Sequence, residues 1–164
     1  MIDVADEAGR RRLAAALGVE RWTDEVVARS PYESLDALLD AARRAGADLT
    51  DEELDEAVAH HPRIGERNES DADADAENLS AAEQAGLGPR DEGVDAAIDR
   101  GNAVYEGRFG RVFLIRAAGR TRQEVLDELQ RRLKNDPAAE SDEAKQQLRE
   151  IAAARLRAQL EEPA

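Results

Sequence analysis

Ser34-Leu35-Asp36-Ala37-Leu38-Leu39-Asp40-Ala41-Ala42-Arg43-Arg44-Ala45-Gly46 carries the signal that decides the fold class. Leu35, Leu38, Leu39 and Ala42 stand at i, i+3, i+4 and i+7, the spacing that gathers apolar side chains on one side of a helix. Ser34 precedes the run as an N-cap, and Gly46 marks its end. The same start signal recurs along the chain. Thr50 with Glu53, Ser80 with Glu83, and Thr121 with Glu124 each spell a capping box, and the first predicts a helix reaching roughly His60. Val94, Ile98, Tyr105 and Phe109 fall at near-helical spacing, with Gly101 weakening the middle. Leu126, Leu129 and Leu133 mark another helix. A last one is predicted from about Ser141 to Glu162, carrying Leu148, Ile151, Ala152 and Leu156.

Two stretches depart from the helical period. Asn68 to Asn78 contains Asp-Ala-Asp-Ala-Asp-Ala and no apolar residue larger than alanine, which reads as a solvated loop. Val112-Phe113-Leu114-Ile115, between Gly110 and Gly119, is apolar throughout and must be buried, as an extended piece or a helical one; period alone does not separate the two. There are no hairpin dipeptides and no alternating strands. The expected fold class is all-α, a single compact helical domain spanning residues 1–164.

Composition narrows the function. The chain has 37 Asp and Glu against 23 Lys and Arg, a net charge of −14, so binding to nucleic acid or an anionic membrane surface is not expected. Without cysteine there is no disulfide framework, thiolate metal site or Cys nucleophile. The longest apolar run is the five residues Leu13 to Leu17, against the ~20 a spanning helix needs. The acidic start, Met1-Ile2-Asp3-Val4-Ala5-Asp6-Glu7, lacks an apolar targeting core, and Glu-Glu-Pro-Ala at the other end is no peroxisomal address, so a cytoplasmic protein is expected. Three of the five aromatic residues, Tyr105, Phe109 and Phe113, fall within nine positions, which marks that region for specific packing.

A few residues look chemically placed. His60 and His61 are the only histidines, and Pro62 ends their helix. With Leu54 at 0°, Val58 projects to about 40°, His61 to about 340° and His60 to about 240°, so His61 leaves on the apolar side and His60 points away. A histidine so placed can be a satisfied structural group or a catalyst held by the stiff loop Pro62-Arg63-Ile64-Gly65-Glu66. On the last helix, with Leu148 at 0°, Arg155 projects to about 340°, inside the apolar stripe, whereas Arg157 projects to about 180°. Arg155 has no acidic neighbour at i±3 or i±4, so it needs a carboxylate from another helix or a ligand anion, and the sequence leaves both open. Glu83 and Gln84 fall in the first turn after Ser80, where a glutamate is commonly only the capping acid. A metal site from His60, His61 and Glu66 lacks the i, i+4 histidine geometry of zinc helices.

At this point a family resemblance emerges. His61-Pro62-Arg63-Ile64-Gly65-Glu66, Ser80-Ala81-Ala82-Glu83-Gln84-Ala85-Gly86, Asn102, and Tyr105-Glu106-Gly107-Arg108-Phe109-Gly110-Arg111-Val112-Phe113-Leu114-Ile115 follow in an order that resembles the OHCU (2-oxo-4-hydroxy-4-carboxy-5-ureidoimidazoline) decarboxylase family. Gly119-Arg120-Thr121, Leu129, Arg132-Leu133, Asn135, Glu150-Ile151 and Arg155-Leu156 extend the likeness over residues 20 to 160 or so. The resemblance implies a carboxy-lyase of urate breakdown that yields (S)-allantoin from this small-molecule substrate with no cofactor and no metal, working as a homodimer. It further implies that His61 is the catalytic histidine, Glu83 its acidic partner and Arg155 the substrate-holding arginine. Pro62, Ser80, Gln84, Phe113, Leu114 and Ile115 match positions that line the pocket. The acidic 67–79 connection and Arg111, where an apolar residue is common, depart from the pattern. The other readings are a non-catalytic helical binding module, or a lyase or hydrolase of another ureido-imidazole compound.

Overall fold

Each cap named above that falls within the structure forms as a hydrogen-bonded cap. Ser34 Oγ accepts from the Ala37 amide at 3.1 Å and starts a helix that stops at Ala45. Thr50 and Glu53 exchange side-chain and backbone bonds, 3.1 Å each way, and Thr121 and Glu124 do the same. Each reciprocal pair satisfies two amides that a helix start leaves open.

The computed structural model describes residues 1–59 and 87–161. Among these the order of elements is α1 (Glu7–Ala16), α2 (Glu20–Val27), α3 (Leu35–Ala45), α4 (Asp51–Val58), α5 (Glu92–Phe109), α6 (Arg122–Arg132) and α7 (Pro137–Glu161). The only extended pairing among the described residues is a bridge between Ile2 and Tyr32, with two backbone bonds of 2.7 Å. The fold is all-α. None of the described helices is long and apolar enough to cross a membrane. The expected loop at 68–78 lies outside the described residues, as do the Ser80 cap and His60.

The chain divides into two compact units, one of Met1–Ala57 with Leu148–Ala164, the other of Val58–Gln147. In the first, Leu13, Leu17, Trp22, Val26, Leu38, Leu39, Leu54, Leu148, Ile151 and Leu156 are buried. Trp22 stays buried because its indole N–H donates to the Ala42 carbonyl at 2.9 Å, and the Tyr32 hydroxyl donates to the Val26 carbonyl at 2.6 Å. Arg21 joins three elements, donating to Glu53 at 2.5 Å, Glu25 at 2.9 Å and the Ala45 carbonyl at 3.1 Å. The guanidinium bond holds the Glu53 carboxyl below the usual carboxylate range.

In the second unit Leu87, Ile98, Tyr105, Phe113, Ile115, Ala117, Val125, Leu126 and Leu129 form one apolar cluster. Helix α5 runs unbroken through Gly101. A Cβ there would lie 2.5 Å from Leu129 Cδ2, so glycine lets α6 approach where a larger residue would hold it off. Gly110 ends α5 at φ 73°, a left-handed cap that costs glycine little. The run after it settles the choice left open by periodicity, because residues 112–117 belong to no helix and Phe113, Leu114 and Ile115 are buried. Helix α7 begins four residues before the expected Ser141. Pro137 occupies its first position, where a missing N–H costs nothing, and the Asp136 carboxylate accepts from the Ala139 amide at 2.8 Å.

Gly9, on α1, faces the backbone of Val4: a Cβ would come within 2.6 Å of both its carbonyl carbon and oxygen. Helix propensity alone favours alanine there by ~1 kcal/mol. Because backbone cannot rotate away as a side chain can, Gly9→Ala is expected to lose about 1–3 kcal/mol in urea unfolding; a stabilised variant would show that the contact yields.

Candidate functional site

Four of the residues proposed from sequence for the site fall within the described structure: Phe113, Leu114, Ile115 and Arg155. His61, Pro62, Ser80, Glu83 and Gln84 lie outside it, as do His60 and Glu66 of the weighed metal site. Among the described residues no three His, Asp or Glu side chains gather as metal ligands.

Arg155 belongs to the first unit. It is 2% exposed, as its projection predicts, and its Nη1 donates to the Ala15 carbonyl at 3.2 Å among its contacts. Arg157 turns the other way, to solvent, and pairs with Glu161 at 3.1 Å.

Phe113, Leu114 and Ile115 belong to the second unit, and the residues around them hold a polar group that periodicity did not announce. Arg132, on α6, and Glu140, on α7, are buried, 1% and 0% exposed. Arg132 Nε donates to Glu140 Oε1 at 2.9 Å, and Nη2 donates to the same oxygen. Nη1 turns away to donate to the Leu114 carbonyl at 2.6 Å. Glu140 also accepts from the Tyr105 hydroxyl and, at 3.1 Å, from Asn135 Nδ2. The guanidinium carbon lies 4.6 Å from the centre of the Phe113 ring, and the Tyr105 ring packs edge-on to Phe113 at 5.2 Å. A buried charge pair survives only if its remaining donors and lone pairs are used, and here the phenol, the amide and the carbonyl use them. Further along the run, the Arg116 amide donates to Gln147 Oε1 at 2.9 Å. The irregular segment 112–117 is therefore tied at two points by side chains of α6 and α7.

Burial, and then the bond to Glu140, push the Tyr105 phenol well above its ordinary value. One group nearby lacks such satisfaction: Asn102, one turn before Tyr105 on α5, is buried and its Oδ1 has no partner among the described residues.

Neither Glu140 nor the pairing role of Arg132 is among the residues singled out from sequence, yet a signal exists. On the projection that places Arg155, Glu140 falls at about 280°, beside Ile151 at about 300° and Ala144 at about 320°. Arg132 likewise follows Val125 and Leu129 at i+7 and i+3. A charge on an apolar stripe marks both members.

Two outcomes follow. Glu140→Ala removes the carboxylate that takes two nitrogens of Arg132 and leaves only Glu143, 3.7 Å from Nε, as counter-charge, and urea unfolding is expected to show a loss of about 3 kcal/mol. Since the folded state raises the Tyr105 pKa, its contribution to stability is fully present below pH ~10 and is lost as pH rises further through the folded value. The alkaline limb of the stability curve should therefore be shallower in Tyr105→Phe than in the parent protein.

Comparison with known proteins agrees on one family. The family model described as OHCU decarboxylase matches residues 3–157. The chain is 36% identical over 107 residues to 2-oxo-4-hydroxy-4-carboxy-5-ureidoimidazoline decarboxylase of Amia calva, covering 65% of this chain and 61% of that one. It is 25% identical over 154 residues to the uric acid degradation bifunctional protein TTL of Arabidopsis thaliana, covering 93% of this chain and 48% of that one. It thus spans about three fifths and about half of the length of these two relatives. The fold matches a crystal structure of OHCU decarboxylase in the presence of (S)-allantoin, with a TM-score of 0.76, 20% identity, and coverage of 93% of this chain and 99% of that one. With a family match running over nearly its whole length, the chain belongs to the OHCU decarboxylase family.

Proposed function

We propose that this chain decarboxylates 2-oxo-4-hydroxy-4-carboxy-5-ureidoimidazoline to (S)-allantoin in urate degradation, without a cofactor, residues 1–164 acting as one domain in a cytoplasmic homodimer. The observation that carries this reading is the family match over residues 3–157, within which the His61, Glu83 and Arg155 motifs stand in order. The homodimer rests on the family resemblance alone.

The chemistry needs little from the protein beyond placement. When the bond to the carboxyl carbon breaks, its electron pair flows into the neighbouring imine-type C=N bond, so the substrate supplies its own electron sink. The adjacent hydroxyl gives up its proton and becomes the ring carbonyl. One proton then adds to the ring nitrogen that took the electron pair and another to the carbon bearing the ureido group, and the face of that carbon it adds to sets the configuration of the product. His61 is suited to move these protons, histidine being the side chain that ordinarily titrates near neutrality, and Glu83 to fix its tautomer or grip the hydroxyl. Arg155 offers a planar fork for the carboxylate or ring carbonyl, and its burial supports a role that a surface arginine could not fill. Phe113, Leu114 and Ile115 offer an apolar flank; with Pro62, Ser80 and Gln84 they complete the assigned substrate contacts.

The test is a polarimetric assay with freshly generated substrate. The native chain is expected to accelerate formation of optically active allantoin, unchanged by a chelator, and racemic product at the uncatalysed rate would refute the assignment. His61→Ala should lower turnover by ~10²–10⁴, with His60→Ala nearly silent. Arg155→Lys should weaken substrate binding, since an ammonium cannot make a two-pronged contact.

A further inference from the structure

The Arg132–Glu140 couple is placed to do more than stabilise. Substituting a buried ion pair by apolar residues of similar volume is often neutral or stabilising, so the pair is poorly explained as a stability device. Its geometry suggests another task. Two nitrogens of the guanidinium are taken by Glu140, which fixes the plane of the fork. The third is thereby aimed at the Leu114 carbonyl, 2.6 Å away, while the Phe113 ring lies against the guanidinium carbon. Tyr105 and Asn135 hold the carboxylate from its other sides. The backbone so gripped lies in no helix, and side chains do for it what a ladder does for a strand. A lysine could pair with Glu140 but has no second arm in a fixed plane for the carbonyl.

We propose that Arg132, oriented by Glu140, is a positioning residue for the reaction, locking the Phe113–Ile115 run at the spacing the substrate requires. The proposal rests on the functional reading above, in which that run flanks the substrate. The run is an apolar flank and not a reacting group, so its displacement should weaken substrate contact, where a single lost methylene contact is worth about 10-fold or more.

The experiment compares the full-length protein with Arg132→Lys and with the double variant Arg132→Met/Glu140→Leu, which removes both charges together. For each, steady-state kinetics on the ureidoimidazoline is paired with thermal unfolding and with amide hydrogen exchange at residues 113–117. The expected result is a folded double variant with faster exchange in that segment, KM raised ~10-fold or more, and the pH midpoint of kcat unmoved. A merely structural role would reduce the fraction of active protein, and so kcat, while leaving KM unchanged; that result overturns the proposal, as does a folded variant with native KM. If the double variant does not fold, Arg132→Lys, which keeps the charge pair, decides by the same two readouts. If the native protein itself fails to turn over this substrate, the functional reading fails separately. The clamp is then judged on exchange alone, supported by acceleration at 113–117 and overturned by native protection.

Discussion

One buried contact between opposite charges organises the second unit. Arg132 and Glu140 come from consecutive helices separated by a short turn, and each is costly to bury without the other. The carboxylate gathers the Tyr105 hydroxyl from α5 and the Asn135 amide from the turn, and the guanidinium gathers the Leu114 carbonyl. Three helices and an irregular segment therefore share one polar point inside an otherwise apolar cluster. The aromatic residues confined to positions 105–113 pack around this point, Tyr105 and Phe109 with ring centres 4.7 Å apart and Tyr105 and Phe113 5.2 Å apart.

Much of the fold could be read from the chain because helix ends are written locally. Ser34, Thr50 and Thr121 each act on an amide three residues away, so no knowledge of tertiary structure is needed to find them. The start of α7 was misplaced for the complementary reason: the signal there is Asp136 followed by Pro137, and the leucine-based periodicity does not begin until Leu148. The 112–115 run escaped assignment because four apolar residues fit either backbone, and what holds them out of a helix comes from Arg132 and Gln147, eighteen and more residues away.

The site was legible in a different measure. Helical projection separates Arg155 from Arg157, and burial agrees for both. The functional assignment of His61, Glu83, Ser80, Pro62 and Gln84 comes from motif order, and these residues lie outside the described structure. Glu140 needed two facts at once, its position on an apolar stripe and a cation on another helix to receive it, and only the first is local. Charged residues that break an apolar stripe are the places where sequence patterns and core packing disagree, and such disagreements concentrate at working parts of a protein.

The near contact of Gly101 with Leu129 links two positions that are far apart in sequence. The absent side chain on one helix makes room for the branched end of the other, one turn before the tyrosine whose hydroxyl meets the carboxylate. Bulk at the two sites is therefore a shared quantity: an alanine at 101 requires the Leu129 end to turn aside, or something slimmer at 129. Where relatives carry a larger residue at 101, the room is expected to come from position 129, so the two positions are coupled and not independent.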